Sequence, residues 1–279
     1  MEQHNLLPWE MVLTADDGYK AVYRMIMLIS FLHLVLSFVI LPSILTFLTD
    51  KKLTLSSTNR LAIKIIGLIF DTVAVVGALK EYTHPSLSSS DPLYTFSTHS
   101  QFHFSVACCY FAWATFTTLF FSRISPKNFV PLIHHICATG IYWITLHPFC
   151  HHYGNLFLLF QASTWLLDFY SIQKILNTHT NLTTVILTYV HPLTFFIVRL
   201  CIGIPLSVKF IKDMLLLLVL GNPHASHEIV FVVAGNVMMN VWNIHFFISM
   251  LLHVKGPLKW FYIADTYRTK GYEVSFFLS

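Results

Sequence analysis

Two adjacent histidines, His134 and His135, lie inside an apolar stretch and are the residues of this chain best suited to chemistry. A neutral imidazole can accept a proton near physiological pH, and a nearby carboxylate can orient the ring and stabilise its charged form. Asp168, in a second apolar stretch that begins at Gly154, is the candidate carboxylate. These residues form the candidate catalytic group, with one histidine as general base.

Helical spacing places further polar groups beside them. In an α-helix, residues three, four or seven positions apart share one face. One such stripe consists of Gln161, Thr164 and Asp168. The matching stripe on the preceding helix consists of His135, Thr139 and Tyr142. We expect a hairpin that pairs the two stripes and brings imidazole, carboxylate, amide and hydroxyl groups into one cleft.

Purely structural roles compete with this interpretation, because polar side chains in a membrane bundle also form interhelical hydrogen bonds of about 0.6–2 kcal/mol each. For any single residue the structural role is favoured. For the His134–His135 pair with Asp168, a functional role is favoured instead. Adjacent helical side chains point about 100° apart, so the two histidines cannot share one structural partner. Arg199 and Asn240 are predicted to line the same cavity, and Arg199 either reaches the lumenal surface or pairs with an acid such as Asp71.

The composition requires that membrane helices position these residues. Of 279 residues, 55% are hydrophobic and 11% are charged, and the mean hydropathy is +0.64, whereas soluble domains are roughly one quarter charged. The sequence therefore predicts an all-α integral membrane protein. The net charge of +4 is small and spread over loops, so nucleic acid is not an expected partner. We expect an N-terminal tail (1–20), one membrane domain (21–256) and an interfacial tail (257–279).

About seven transmembrane helices are expected, since a helix needs roughly 20 apolar residues to cross the hydrocarbon core. The predicted spans are 25–48, 61–79, 103–121, 129–147, 154–174, 184–206 and 229–253. The apolar run 214–220 is too short to cross alone. We interpret it as an interfacial or re-entrant segment.

Lys and Arg in the loops predict the orientation. The loops on the side of the C-terminus carry ten such residues and those on the side of the N-terminus carry five. Because cytosolic loops are enriched in positive charge, we expect a lumenal N-terminus and a cytosolic C-terminus. His134 and His135 then lie in the cytosolic half of their span.

Several motifs resemble the TLC-domain family, which includes the ceramide synthases and the translocon-associated TRAM proteins. The matching stretches are 132–135, 153–164, 195–200 and 240–243. The resemblance covers roughly residues 60–255. It implies six helices around a central cavity with an extra N-terminal helix, and residence in the endoplasmic reticulum.

Within that family, the chain is more similar to the subgroup of TLC domain-containing protein 4 than to the ceramide synthases. Ceramide synthases carry aspartates in the stretch that here reads 160–164, and the protein-4-like subgroup usually has Glu at Gln161 and Asn at Asp168. The resemblance implies a role in membrane lipid metabolism or homeostasis, with membrane lipids as partners. As an enzyme, the chain would transfer an acyl group from acyl-CoA to a lipid amine or hydroxyl, with His134 or His135 as base or acyl acceptor. The alternative is a non-enzymatic lipid-regulatory protein.

A metal-dependent lipid oxygenase is another alternative, because imidazole is a good iron ligand. Three spacings resemble the His boxes of membrane di-iron enzymes: His99-x3-His103, His147-x3-His151-His152 and His224-x2-His227. The predicted topology places them in the lumen, whereas such boxes face the cytosol. We therefore assign no metal site.

Overall fold

The computed structural model describes residues 8–48, 54–82, 92–121, 126–147, 149–176, 178, 181–220 and 226–269, and contains no β-strand within these ranges. Ten α-helices and two short π-helices make up nearly all of the described part. In chain order the elements are α1 (Pro8–Val35), a π-helix (Leu36–Ile40), α2 (Leu41–Leu48), α3 (Leu55–Tyr82), α4 (Thr98–Phe121), α5 (Pro126–Ile144), α6 (His151–Leu158), α7 (Gln161–Leu176), α8 (Asn181–Phe195), a second π-helix (Phe196–Ile202), α9 (Gly203–Leu220) and α10 (Ser226–Thr269).

These elements join into seven rods in the described part of the chain. α1 and α2 are continuous through the first π-helix, and α8 and α9 are continuous through the second. α6 and α7 are counted as one rod, interrupted by a two-residue turn. Four stretches are long and apolar enough to cross a membrane: Val22–Ile44, Leu55–Tyr82, Tyr189–Leu220 and Ser226–Leu252. Phe129–Ile144 is a shorter apolar helix. The prediction of an all-helical, multi-pass membrane protein is confirmed at this level.

The prediction of a separate segment at 214–220 is wrong. These residues are the last turns of α9, and no glycine or proline interrupts the helix after Pro205. Met214 is fully buried in an apolar cluster with Phe210 and Ile229, so packing stabilises the helix beyond the predicted span. At about 1.5 Å per residue, the rod from α8 to α9 is roughly 60 Å long, about twice the hydrocarbon thickness.

The rods pack as a closed ring. Going round it, α5 contacts α4, α4 contacts α3, α3 contacts α6 and α7, α7 contacts α8, and α10 closes the ring between α8–α9 and α5. α1 lies outside, mainly against α4. In the described part of the chain, six rods form the ring and one lies outside it, and four of the seven contain a stretch long and apolar enough to cross a membrane.

Close helix approach at the closing seam depends on glycine. A Cβ atom on Gly140 of α5 would lie 2.7 Å from the ring of Phe231 on α10, so only glycine fits there without a shift. Small residues generally allow membrane helices to approach closely, since van der Waals packing drives their association. The seam between α5 and α10 is therefore tightly packed around an aromatic side chain.

The second π-helix begins four residues after Pro192, which lies inside α8. Proline removes a backbone donor and disturbs the helical ladder, and such disturbances are often absorbed by a local wide turn. The wide turn carries Arg199, which is buried. A polar residue is thus directed inward from a helix that otherwise presents apolar side chains.

Candidate functional site

Polar side chains from four ring helices and the second π-helix lie within electrostatic range of one another. Asp71 lies within electrostatic range of Lys64, Asp168 and Arg199, and Tyr110 within range of both aspartates. The histidines join the same group, since His134 lies within range of Arg199 and His135 within range of Lys64. We call this set the interior polar cluster: Lys64, Asp71, Tyr110, His134, His135, Asp168 and Arg199.

An ion pair joins α3 to α7 inside this cluster. Lys64 Nζ lies 2.6 Å from Asp168 Oδ1, and the lysine side chain is 36% exposed while the aspartate is 5% exposed. Gly67, one turn along α3, provides the space, because a Cβ there would overlap Asp168 Oδ2 and lie 3.2 Å from the Tyr110 hydroxyl. The negative charge of Asp168 is therefore compensated by lysine.

Arg199 connects three helices through neutral partners. Its Nε donates to Ser163 Oγ (2.9 Å), and its Nη2 donates to Thr164 Oγ1 (3.0 Å) and to the Phe160 carbonyl oxygen (3.2 Å). Nη1 donates to Asn243 Oδ1 on α10 (3.1 Å). Four of the five guanidinium N–H groups are thus used. In the described part of the chain, no carboxylate contacts Arg199.

Asp71 contrasts with Arg199. The residue is fully buried, yet neither carboxylate oxygen has a hydrogen-bond partner among the described residues. It occupies the same face of α3 as Lys64, seven residues away, and Gly67, four residues away, and that face is turned towards α4 and α7. A buried polar group without a partner is rare in folded proteins.

The two histidines make different contacts, as their helical spacing predicts. His134 Nδ1 lies 3.1 Å from the Met239 sulfur on α10. His135 Nδ1 is enclosed and has no hydrogen-bond partner among the described residues. Phe111 packs against both rings, with centroids 5.9 and 6.1 Å away. His135 is therefore the histidine whose Nδ1 remains available.

The expected direct pairing of the two polar stripes is not found. Asp168 bonds to Lys64, and neither His134 nor His135, both within the described residues, is hydrogen-bonded to it. The reason is the order of the helices around the ring, in which α5 and α7 are not neighbours. α3 and α4 separate them on one side of the ring, and α8 and α10 separate them on the other side. The stripes face a shared interior from separate positions, and the catalytic roles of these three residues stay predictions.

The residues predicted to line the cavity divide into two groups. Thr164 and Arg199 bond to each other inside the ring, and Tyr142 is buried within electrostatic range of Arg199. Thr139 and Asn240 instead bond within their own helices, to the carbonyl oxygens of His135 (2.8 Å) and Asn236 (2.8 Å). Gln161 is buried at the first position of α7.

Sequence reasoning missed Lys64 and Tyr110. Lys64 lies inside the predicted span 61–79, and a charged residue within a span is a functional candidate by default. That signal was sufficient to find it. Tyr110 carried no such signal, because tyrosine is common in membrane helices and only the packing of its ring on Phe70, at 3.9 Å between centroids, brings it inward.

Two histidines of the His-rich spacings, His147 and His151, make structural hydrogen bonds. His151 is buried, with Nε2 near the carbonyl oxygens of Thr145 and His147, and Nδ1 accepts from the Ser97 backbone N–H (3.3 Å). His147 Nε2 bonds to the hydroxyl of Tyr19 on α1 (2.7 Å). His224 lies outside the described residues. Within those residues, no three His, Cys, Asp or Glu side chains are grouped closely enough to hold a metal ion.

An apolar pocket lies on the predicted lumenal side of the cluster, between α5, α6, α9 and α10. Its lining includes Ile141, Tyr153, Phe210, Val232 and Asn236. Asn236 accepts a hydrogen bond from Asn240, one turn further along α10. The same helix carries Met239, which contacts His134. The mostly apolar pocket and the interior polar cluster therefore lie at different positions along the same two helices, α5 and α10.

The comparison with known families agrees with this architecture. The TRAM_LAG1_CLN8 model, which describes the TLC domain, matches residues 60–252. No curated protein matches the chain significantly. The matched range contains the whole interior polar cluster and excludes α1. Because the match covers more than half of the 279 residues, the chain belongs to the TLC domain family, a family of membrane lipid-related proteins.

Proposed function

We propose that this protein takes a membrane lipid into its helix ring and acts there in lipid metabolism or homeostasis, by acyl transfer to a lipid amine or hydroxyl. One observation carries the proposal: α5 and α10 line an apolar pocket, and the same two helices reach the interior polar cluster through His134, His135 and Met239. A lipid has the same division into a polar headgroup and apolar chains. Ligand sites are mostly apolar with a few convergent polar groups, and this arrangement fits that pattern.

His135 is the best candidate for the general base, because its Nδ1 is free while His134 Nδ1 contacts Met239. In the proposed reaction, the acceptor nitrogen or oxygen loses its proton to His135 and attacks the thioester carbonyl of acyl-CoA. The carbon–sulfur bond then breaks, and the leaving thiolate takes the proton from His135. Arg199, with one unused N–H, stabilises the negative oxygen.

Substitution of His135 tests this mechanism. Purified His135→Gln protein in lipid nanodiscs, supplied with labelled acyl-CoA and a membrane lipid extract, should form labelled product about 10²–10⁴-fold more slowly than wild type. His33→Gln is the matched control, since His33 is a buried histidine on α1, outside the ring, bonded to Asn59 Oδ1 at 2.7 Å. Product formation that persists at the wild-type rate without His135 excludes it as the base.

A non-enzymatic lipid-binding role is the second candidate. Its support is that Asp168 is neutralised by Lys64 and that no carboxylate hydrogen-bonds to His134 or His135 within the described residues. An unassisted imidazole is a weaker base than one oriented by a carboxylate. Lipid that co-purifies with the protein in the absence of any labelled product favours this candidate.

We further infer that the protein resides in the endoplasmic reticulum with a lumenal N-terminus and a cytosolic C-terminus. The excess of Lys and Arg on one side supports the orientation. The stretch 160–164 lacks the aspartates of the ceramide synthases, which supports a place beside TLC domain-containing protein 4. Membrane lipids are the proposed partners.

A further inference from the structure

We propose that the interior polar cluster binds the headgroup of a zwitterionic phospholipid that carries a primary ammonium group, with Asp71 holding the ammonium and Arg199 facing the phosphate. The inference rests on the proposed function only in that a lipid enters the ring. It does not require acyl transfer.

Asp71 provides the first half of the site. The side chain is fully buried, and both of its oxygens lack a hydrogen-bond donor among the described residues. Lys64, the nearest cation on the same helix face, is bonded to Asp168 at 2.6 Å. Buried polar groups are normally hydrogen-bonded, so an enclosed carboxylate without a donor indicates a partner that the chain itself does not supply.

Arg199 provides the second half. Its protein partners are two hydroxyl groups, an amide oxygen and a carbonyl oxygen, and all of them are uncharged. One N–H on Nη1 is unused. Arg199 and Asp71 lie within electrostatic range of each other but form no ion pair. Because Lys64 and Asp168 are paired with each other, Arg199 and Asp71 remain as the base and the acid of the cluster without a charged partner among the described residues.

A zwitterion complements this separation of charge. An anionic phosphate suits the guanidinium, for which phosphate is a preferred partner. The positive end must supply N–H donors to Asp71, and a primary ammonium has three of them. A quaternary choline group has none and leaves both carboxylate oxygens unbonded. The number of N–H donors therefore favours ethanolamine over choline.

A competing explanation is that water satisfies Asp71. The two explanations differ in what they predict for the headgroup. Water at Asp71 gives no preference among phospholipids, whereas a bound ammonium makes affinity depend on the number of N–H donors.

A methylation series on the wild-type protein tests the proposal. Four phospholipids with identical chains and ethanolamine, N-methyl-, N,N-dimethylethanolamine or choline headgroups are titrated into purified protein, and binding is followed by native mass spectrometry. Affinity should fall along the series, by about tenfold or more from ethanolamine to choline, as charge-assisted hydrogen bonds are lost. Equal affinities for all four overturn the proposal while the lipid-binding function survives. Binding of none of them contradicts both.

Two variants on one helix locate the effect. Asp71→Asn should abolish the preference for ethanolamine, since the charge is removed while the shape is kept. Glu81→Gln is the matched control, because Glu81 is also buried on α3 but already accepts from Ser97 Oγ (2.7 Å) and Ser100 Oγ (3.1 Å). A preference that persists in Asp71→Asn refutes the assignment of Asp71. If Asp71→Asn does not fold, the methylation series on the wild-type protein alone tests whether an ammonium group is bound.

Competition with soluble glycerophosphoethanolamine distinguishes a lipid headgroup from a free headgroup as the natural ligand. This compound has the same charges but no chains, so at matched concentration it should displace little of the bound ethanolamine phospholipid. Full displacement contradicts a lipid ligand and points to a free headgroup instead.

Discussion

Lys64 and Asp168 form an ion pair between α3 and α7 whose two side chains are unequally buried: the lysine is 36% exposed and the aspartate 5%. The pair is therefore asymmetric. Loss of the lysine leaves a buried charge without compensation, whereas loss of the aspartate leaves a cation that lies partly outside the protein interior.

This asymmetry predicts unequal costs of substitution. Lys64→Met should lower the free energy of unfolding by about 3–5 kcal/mol, the cost of an unpaired buried charge. Asp168→Asn should cost about 1 kcal/mol or less, as for a partly exposed pair. Thermal or denaturant unfolding in one detergent measures both. Equal losses, or a larger loss for Asp168→Asn, contradict the asymmetry.

Gly67 is expected to tolerate no side chain. In Gly67→Ala the added Cβ overlaps Asp168 Oδ2 and crowds the Tyr110 hydroxyl, so the ion pair must shift. We expect a loss of about 1–3 kcal/mol, typical of overpacking, on unfolding in detergent. Gly235→Ala is the control, because its nearest atom is the flexible Cδ1 of Ile141, at 3.1 Å. A smaller loss for Gly67→Ala than for Gly235→Ala would disprove the expectation.

Arg199 should not be replaceable by lysine. Its hydrogen bonds join α7 to α10 through Thr164 and Asn243, and an ammonium cannot reproduce the planar fork. Interhelical hydrogen bonds in membranes contribute about 0.6–1.7 kcal/mol each, so Arg199→Lys should cost roughly 2–4 kcal/mol. Ser163→Ala removes one of these bonds and should cost about 1 kcal/mol in the same unfolding measurement. A stability of Arg199→Lys equal to wild type would show that the network contributes little.

The proposed orientation makes a prediction about glycosylation. The sequon Asn181-Leu182-Thr183 should stay unmodified, since the start of α8, where it lies, is assigned to the cytosol, where N-glycosylation does not occur. A sequon introduced within residues 86–90 should be modified, because that loop is assigned to the lumen. Gel mobility with and without a deglycosylating enzyme reports both sites. Modification at Asn181 would show that the orientation is the reverse of the one proposed.

Sequence reasoning predicted the helical class and the positions of the seven rods because each depends on local properties, namely apolar length and composition. The neighbours around the ring do not follow from such properties. α5 and α6–α7 are consecutive along the chain, which suggested that His135 faces Asp168 directly. Packing against α3 and α4 separates them, so Asp168 pairs with Lys64 instead.

The candidate site was predicted in part for a similar physical reason. His134, His135, Asp168 and Arg199 were identifiable because charged or titratable groups are costly inside a membrane. Whether such a group is satisfied depends on residues distant in sequence. Among the described residues Asp71 has no donor, whereas Arg199 donates to four acceptors, which include Ser163, Thr164 and Asn243.

The closing position of α10 has a consequence for biosynthesis. Helices enter the membrane in chain order, and α10 is the last of the ring helices, filling the gap between α5 and α8–α9. Until it inserts, Arg199 lacks its bond to Asn243 and His134 lacks its contact with Met239. The nascent protein must therefore pass through a stage in which its polar interior is open to the bilayer, and an arrest at that stage leaves a recognisable target for membrane quality control.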